Sequence, residues 1–400
     1  MYLSLLLLVG GLCLEGYLHD CRCSMLAELL DHVPQLWEYL PSSSLSVLLG
    51  TSSALRQKVH DYVSKISGTM TAQDVSVLVH GLPDTYPQLT SLQLTIHSAV
   101  AIPKVAHARL PLLETLDLTN SSLTGAGIRI LSQGRWPKLK SLNLAVNKIA
   151  NDGISHLRTT EWPLLSSIDL SNNCFGGSAI KILLCCKWPT LQKLCLSKNN
   201  LDYDWGELPV STEWPQLREL VVSRCKLSHR AARALSKPMW SCLETLDLCD
   251  NHLYDSAVRE LVQAPWPSLK SLSLSDNHLQ REGVSFLITG EWPMMEHMYL
   301  KNIELAETAL GQLCKAKWPS LKRLEIGQTK MKFGLETISH LINAPWPLLE
   351  HLSLRSSVLT ATDVVTQLSK GEWPLLKTLQ ASLLSLDASC LLPFAFLCCE

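Results

Sequence analysis

Residues 266–292 read WPSLKSLSLSDNHLQREGVSFLITGEW, a stretch that opens and closes on tryptophan. The same Trp recurs in phase along the chain. Trp136, Trp162, Trp188, Trp214, Trp240, Trp266, Trp292 and Trp318 are separated by one constant interval, and Trp346 and Trp373 follow at slightly longer ones. All but Trp240 precede a proline, and Leu110-Pro111 and Tyr86-Pro87 continue the phase upstream. That makes twelve units from about residue 86 to residue 400. A fixed period of this length marks stacked repeats rather than two or three independent globules.

Within 266–292, Leu269, Leu272, Leu274, Asn277 and Leu279 spell L-x-x-L-x-L-x-x-N-x-L. The unit that begins at Trp136 repeats it with Leu139, Leu142, Leu144, Asn147 and Ile149. Alternation of the second and third leucines predicts a short strand with one buried face. Further on, the spacing of Ile128 and Leu131, or of Val258 and Leu261, predicts one face of a short helix. A single unit cannot bury its own apolar face, so it must stack on its neighbours. The recurring indoles then predict a hydrophobic spine, with each proline fixing the backbone that enters a strand. Asn147, Asn173, Asn199, Asn251 and Asn277 predict a buried amide ladder, broken and locally irregular at Cys225, Ile303, Thr329 and Ser357.

The repeated pattern resembles the leucine-rich repeats of the intracellular, ribonuclease-inhibitor-like type, over residues 86–400. The resemblance implies an α/β solenoid: a horseshoe of about twelve strand–helix repeats, with a parallel sheet on the concave face and helices outside. It implies a non-enzymatic scaffold that binds a protein partner on that concave face.

Residues beside the buried leucines are predicted to face solvent. Early units offer short polar groups: Thr115, Asp117, Thr119, then Ser141, Asn143, then Ser167, Asp169, Ser171. The ninth to eleventh units differ, with His297, Tyr299, Lys301, then Arg323, Glu325, then His351, Ser353, Arg355. Aromatic and basic side chains on a rigid sheet have the composition of an interface hot spot. His297, Tyr299, Lys301, Arg323, Glu325, His351 and Arg355 are therefore the candidate partner-binding residues. A second row alternates in sign (Arg218, Glu244, Lys270, Glu296, Lys322, Glu350, Lys377) and predicts a lateral ladder of charge pairs that supports register.

Residues 1–85 stand outside the period. Residues 1–24 form an apolar segment whose core, LSLLLLVGGLCL at 3–14, resembles that of a signal peptide, although no Lys or Arg precedes it. It is too short to span a bilayer, so no stable membrane insertion is expected. Residues 25–85 read as helical, with Leu26, Leu29, Leu30, Val33 and Leu36 in helical phase. Residues 25–66 look like an F-box, with Leu40-Pro41, Leu45 and Leu55–Val59 at its adaptor-binding positions, but lack a Pro-Asp-Glu opening and carry Gly50 mid-helix. Two readings stand side by side: a small helical cap on the first repeat, or a site for a cullin-adaptor protein. The second would make the chain a substrate receptor of a ubiquitin ligase. A third reading, an exported recognition receptor, rests on residues 1–24.

Charged residues make up 18% and the net charge is −1, so no general attraction to nucleic acid is expected. The 46% hydrophobic content excludes a disordered chain. The 14 cysteines scatter over repeat positions rather than forming a disulfide framework, which fits a cytoplasmic or nuclear compartment better than secretion. Cys21 and Cys23 lack partner ligands at zinc spacing. No G-x-x-x-x-G-K, G-x-S-x-G or H-E-x-x-H motif is present. No enzyme activity, cofactor or metal is expected.

Overall fold

Seven of the fourteen described strands are only three residues long, because a buried side chain takes over the backbone just beyond them. The computed structural model describes residues 65–70, 88–96, 99–202, 214–238, 240–303, 307–327, 332–333, 335–359 and 373–383. The chain divides into two compact units, residues 1–175 with 185–191 and residues 176–184 with 192–400.

The first unit carries five described parallel strands: β1 Lys65–Met70, β2 Ser91–Ile96, β3 Thr115–Asp117, β4 Ser141–Asn143 and β5 Ser167–Asp169. Each pairs with the next in sequence, Ser141 opposite Thr115 and Ser167 opposite Ser141. Helices α1 Ile102–His107, α2 Gly125–Leu131 and α3 Asn151–His156 alternate with them. Helices of this length do not persist alone. Here they are fixed by burying Ile102 and Val105, Ile128 and Leu131, and Gly153 and Ile154.

The second unit repeats the scheme with β6 Lys193–Cys195, β7 Glu219–Val221, β8 Thr245–Asp247, β9 Ser271–Ser273, β10 His297–Lys301, β11 Arg323–Gly327, β12 Lys332–Phe333, β13 His351–Leu359 and β14 Thr378–Leu383. Its helices are α4 Ser178–Leu183, α5 His229–Leu235, α6 Asp255–Leu261, α7 Arg281–Leu287, α8 Glu307–Leu313 and α9 Leu335–Ile342. Its described pairings are all parallel. Both units are thus α/β leucine-rich-repeat stacks, with the predicted leucines as core. Leu113, Leu116 and Leu118, or Leu269, Leu272 and Leu274, are fully buried.

Strand β1 lies inside the stretch read as helical, so among the described residues the sheet starts one strand before residue 86. Lys65 pairs with Ser91, which lies one repeat period further along the chain. The rest of residues 1–85, including the F-box-like positions 40–59, lies outside the described residues apart from β1.

The tryptophans form the expected spine. Trp136, Trp162, Trp188, Trp266, Trp318 and Trp346 are among the largest fully buried side chains. Trp136 and Trp162 stack with centroids 6.0 Å apart at 22°, and Trp318 and Trp346 do so at 6.4 Å and 12°. The Trp162 indole N–H donates to the Gly134 carbonyl at 3.3 Å, and that of Trp346 to Ala316 at 3.2 Å.

The amide ladder is present, and its breaks are redistributed. Asn147 accepts from the backbone N–H of Ser121 and Leu123, both at 2.9 Å, and donates to the carbonyls of Leu118, Leu144 and Ala145. By taking backbone groups that a longer strand would pair, it ends β4 at Asn143. The sequence predicts irregularity at Cys225, but β7 is as short as its neighbours. The Cys225 thiol donates toward the Leu196 and Ser223 carbonyls at 3.3 Å, taking the place of the amide. Ile303 has no such capacity, and there β10 and β11 lengthen, paired through Lys301 and Gly327. Near Ser357, β13 is longer still, with a register shift between Leu354 and Val358.

Eight successive repeats turn out of the strand through a residue in the left-handed region: Asn120, Val146, Asn172, Lys198, Arg224, Asp250, Asp276 and Asn302, with φ between 51° and 58°. Val146 is the strained member, because its branched Cβ crowds the backbone there.

Candidate functional site

The sheet face opposite the helices is built from the first and third residues of each strand. In the first unit its polar groups are engaged by the chain itself. Asp117 accepts from the Thr119 N–H at 2.9 Å and its hydroxyl at 2.6 Å. Asn143 accepts from the Ala145 N–H at 3.0 Å, and Asp169 from the Ser171 N–H at 2.8 Å. These side chains cap the strand exit and leave a low surface with little reach.

In the second unit the face carries one ion pair of long side chains, Lys193 with Glu219 at 2.8 Å across β6 and β7, returns to Thr245, Asp247, Ser271 and Ser273 on β8 and β9, and changes at β10. Register places His297 beside Arg323 and Arg323 beside His351; the next row places Tyr299 beside Glu325 and Glu325 beside Ser353. The predicted cluster is therefore contiguous across β10, β11 and β13. Arg355 also falls on β13, beyond the paired residue Ser353.

The charge pattern is more balanced than a basic patch. Glu325 sits between two cations, with Lys301 Nζ at 2.6 Å and Arg323 at 3.2 Å. Its side chain is only 14% exposed, so this triad is a screened core of the site, with two cations on one carboxylate. Burial, only partly opposed by Glu296, pushes the His297 imidazole below its ordinary range, with Arg323, Lys322 and His351 adding to the shift. Burial likewise lowers His351, helped by Arg323 and opposed by Glu350. Both rings are therefore neutral donors and acceptors at neutral pH. His351 Nδ1 bonds the Thr378 hydroxyl at 2.6 Å. Among the described residues, His297 Nδ1 and Ser353 Oγ are buried without a partner. Burial raises the Tyr299 phenol, which stays protonated.

The alternating row borders this face and pairs as expected. Glu244 takes both Arg218 and Lys270, the latter at 3.0 Å, while Lys322 reaches Glu296 at 2.9 Å and Lys377 reaches Glu350 at 2.6 Å. The bond from Lys270 is the main reason Glu244 lies below the usual carboxylate range. Each pair crosses one repeat boundary and rewards a single register, though exposed pairs add little stability individually.

The described cysteines are free thiols. Burial pushes Cys186, Cys225 and Cys314 up to about 12, whereas Cys174 and Cys185 are exposed. Thiolate is the alkylating form. Iodoacetamide at about pH 8 should thus label Cys174 and Cys185 in the native protein and reach Cys186, Cys225 and Cys314 only after denaturation, as read by peptide mass spectrometry. Native labelling of Cys225 at the rate of Cys185 would contradict the packing described.

Among the described residues no cluster of three or more His, Cys, Asp or Glu is placed to hold a metal, and no helix is long and apolar enough to cross a membrane.

The family model described as "Leucine Rich repeat" matches residues 137–157 and 267–287. Among curated proteins no sequence matches the chain. Among solved structures, the chain is similar to TLR13 in its complex with ssRNA13, at 19% identity and a TM-score of 0.47, covering 86% of this chain and 57% of that one. It is also similar to an internalin, inlF, of Listeria monocytogenes, at 14% identity and a TM-score of 0.47, covering 83% and 93%. A third likeness is to a chain from the octameric complex of Latrophilin 3, Unc5D and the leucine-rich repeats of FLRT2, at 18% identity and a TM-score of 0.40, covering 66% and 74%.

Proposed function

We propose that the protein is a non-enzymatic interaction scaffold that holds a protein partner on the exposed face of β10, β11 and β13. The observation that carries this reading is the change of the face at β10. The short side chains of β8 and β9 give way to an ion triad flanked by Tyr299, His297 and His351, where the earlier β6 and β7 carry one ion pair, Lys193–Glu219. Long aromatic and guanidinium groups held on a rigid sheet lose little conformational freedom on binding, which is why such residues dominate interface energetics.

The ubiquitin-ligase-receptor and exported-receptor readings add an attachment at residues 25–66 or 1–24, and both keep this face as the element that grips the partner. With a partner recovered by co-purification on the intact chain, the double variant Tyr299→Ala/Arg323→Ala is expected to weaken capture by about thirtyfold or more, the loss of one hot spot. Its melting temperature should stay at the parent value, since both side chains are part-exposed. Unchanged affinity in the double variant would remove the site.

A further inference from the structure

Glu325 on β11 takes two cations and neutralises one of them. Lys301 Nζ reaches its Oε2 at 2.6 Å and Arg323 Nη1 its Oε1 at 3.2 Å. Both cations thus stand within bonding distance of a single carboxylate, and the triad keeps one positive charge. The carboxylate is the sheltered member, whereas the Lys301 and Arg323 side chains are 38% and 35% exposed. A guanidinium carries five N–H donors and an ammonium three. Among the described residues, Glu325 is the one side chain bonded to either cationic head, so most of these donors are left to solvent.

Neighbouring carboxylates do not make up the difference. The row along the strand entries is paired within itself, Lys322 with Glu296 and Lys377 with Glu350. Asp276, at the turn after β9, accepts from the Asn302 amide at 2.9 Å. Asp247 on β8 accepts from the Cys249 N–H at 2.9 Å and stands two strands from β10, about 10 Å away. That is about one Debye length in physiological salt. His297 and His351 add no charge at neutral pH, since burial lowers both. The surplus is a single positive charge, next to the Tyr299 ring that register sets beside Glu325.

We propose, resting on the reading of this face as the partner site, that the segment gripped there is acidic: an Asp or Glu of the partner sets its carboxylate against Lys301 and Arg323, so that two cations meet two carboxylates. Such bonds are charge-assisted and stronger than neutral ones. A carboxylate matches the surplus, whereas a phosphorylated side chain, with a charge near −2, would overshoot it.

The test presents the full chain with tethered nonapeptides whose central residue is Glu, Gln, Lys or phosphoserine between randomised flanks, and measures the selected peptides by fluorescence anisotropy. Glu-centred peptides are expected to be selected, and exchanging that Glu for Gln should weaken them by about tenfold. Arg323→Gln should weaken the Glu peptide by a similar factor and shrink the difference between the Glu and Gln peptides, the signature of direct coupling. Glu325→Gln removes the internal competitor and should tighten the Glu peptide by about threefold or more. Circular dichroism and melting temperature check that each variant is folded. Selection of Gln, Lys or phosphoserine over Glu, an unchanged Glu peptide in folded Arg323→Gln, or weaker binding in folded Glu325→Gln would each overturn the proposal. Non-acidic peptides that Tyr299→Ala releases would overturn it while keeping the face as the partner site; peptides indifferent to Tyr299→Ala and Arg323→Gln alike would remove both. Selection of no peptide would overturn the acidic segment alone, because capture of a folded partner is judged by the co-purification above.

Discussion

Asn251→Ala is expected to lower the unfolding free energy by about 3–5 kcal/mol, read from the shift of the urea midpoint. The side chain is 3% exposed. Its carbonyl oxygen accepts from the N–H groups of Cys225 and Leu227, both at 2.9 Å. Its amide donates to the carbonyls of Val222 and Leu248 at 2.9 Å and of Cys249 at 3.2 Å. Alanine leaves both N–H groups orphaned inside the stack, together with carbonyls that lose a donor. An unsatisfied buried group costs about 1–3 kcal/mol, and partial entry of water keeps the sum below the upper limit.

Two further variants sharpen the argument. Asn251→Asp keeps the acceptor but sets a carboxylate against three carbonyl oxygens, so it should be at least as damaging as alanine. Asn251→Cys should be the mildest, because Cys225 already reaches two carbonyls at the equivalent position of the preceding repeat. A loss of less than about 1 kcal/mol for Asn251→Ala would show that the ladder is ornamental to stability.

The parts of this fold that are legible in the sequence are those in which one residue type does one job in every repeat. An indole or a leucine at a fixed phase can only be core, so the spine and the strand positions follow from spacing alone. Where several residue types serve the same purpose, the signal dissolves. The left-handed turn after each strand is held by Asn120, Val146, Lys198, Arg224 and Asp276 alike, a set with no common chemistry. Strand β1 is hidden because Gly68 stands where Leu94 stands one period later, so its apolar alternation breaks after the buried Ile66. Cys225 reads as a break in the ladder, since an amide and a thiol share no composition, yet both can donate to the same kind of carbonyl.

The site divides in the same way. That His297, Tyr299, Arg323 and His351 share a face follows from strand alternation and the repeat period. That Glu325 lies between Lys301 and Arg323 does not follow, because it depends on which way three long side chains turn across two strands.

A loss of the same size is expected at the spine itself, where Trp162→Ala should cost about 3–5 kcal/mol. Trp162 is 1% exposed, its ring packs on Trp136 at 6.0 Å, and its N–H is bonded to Gly134. Truncation removes the stacking and the apolar burial together and leaves a hole that the flanking backbone cannot close, because β4 and β5 are pinned by their own hydrogen bonds. In a linear stack each repeat leans only on its neighbours, so the damage should be local. Hydrogen exchange followed by mass spectrometry is therefore expected to accelerate first in peptides spanning 139–145 and 165–170, well before denaturant-induced unfolding. Gly134→Ala should reproduce a weaker form of the effect by overfilling, since an added Cβ would lie 2.5 Å from the Trp136 ring. Uniform acceleration over both units, or a Trp162→Ala variant as stable as the parent, would mean that the rings do not carry the packing between repeats.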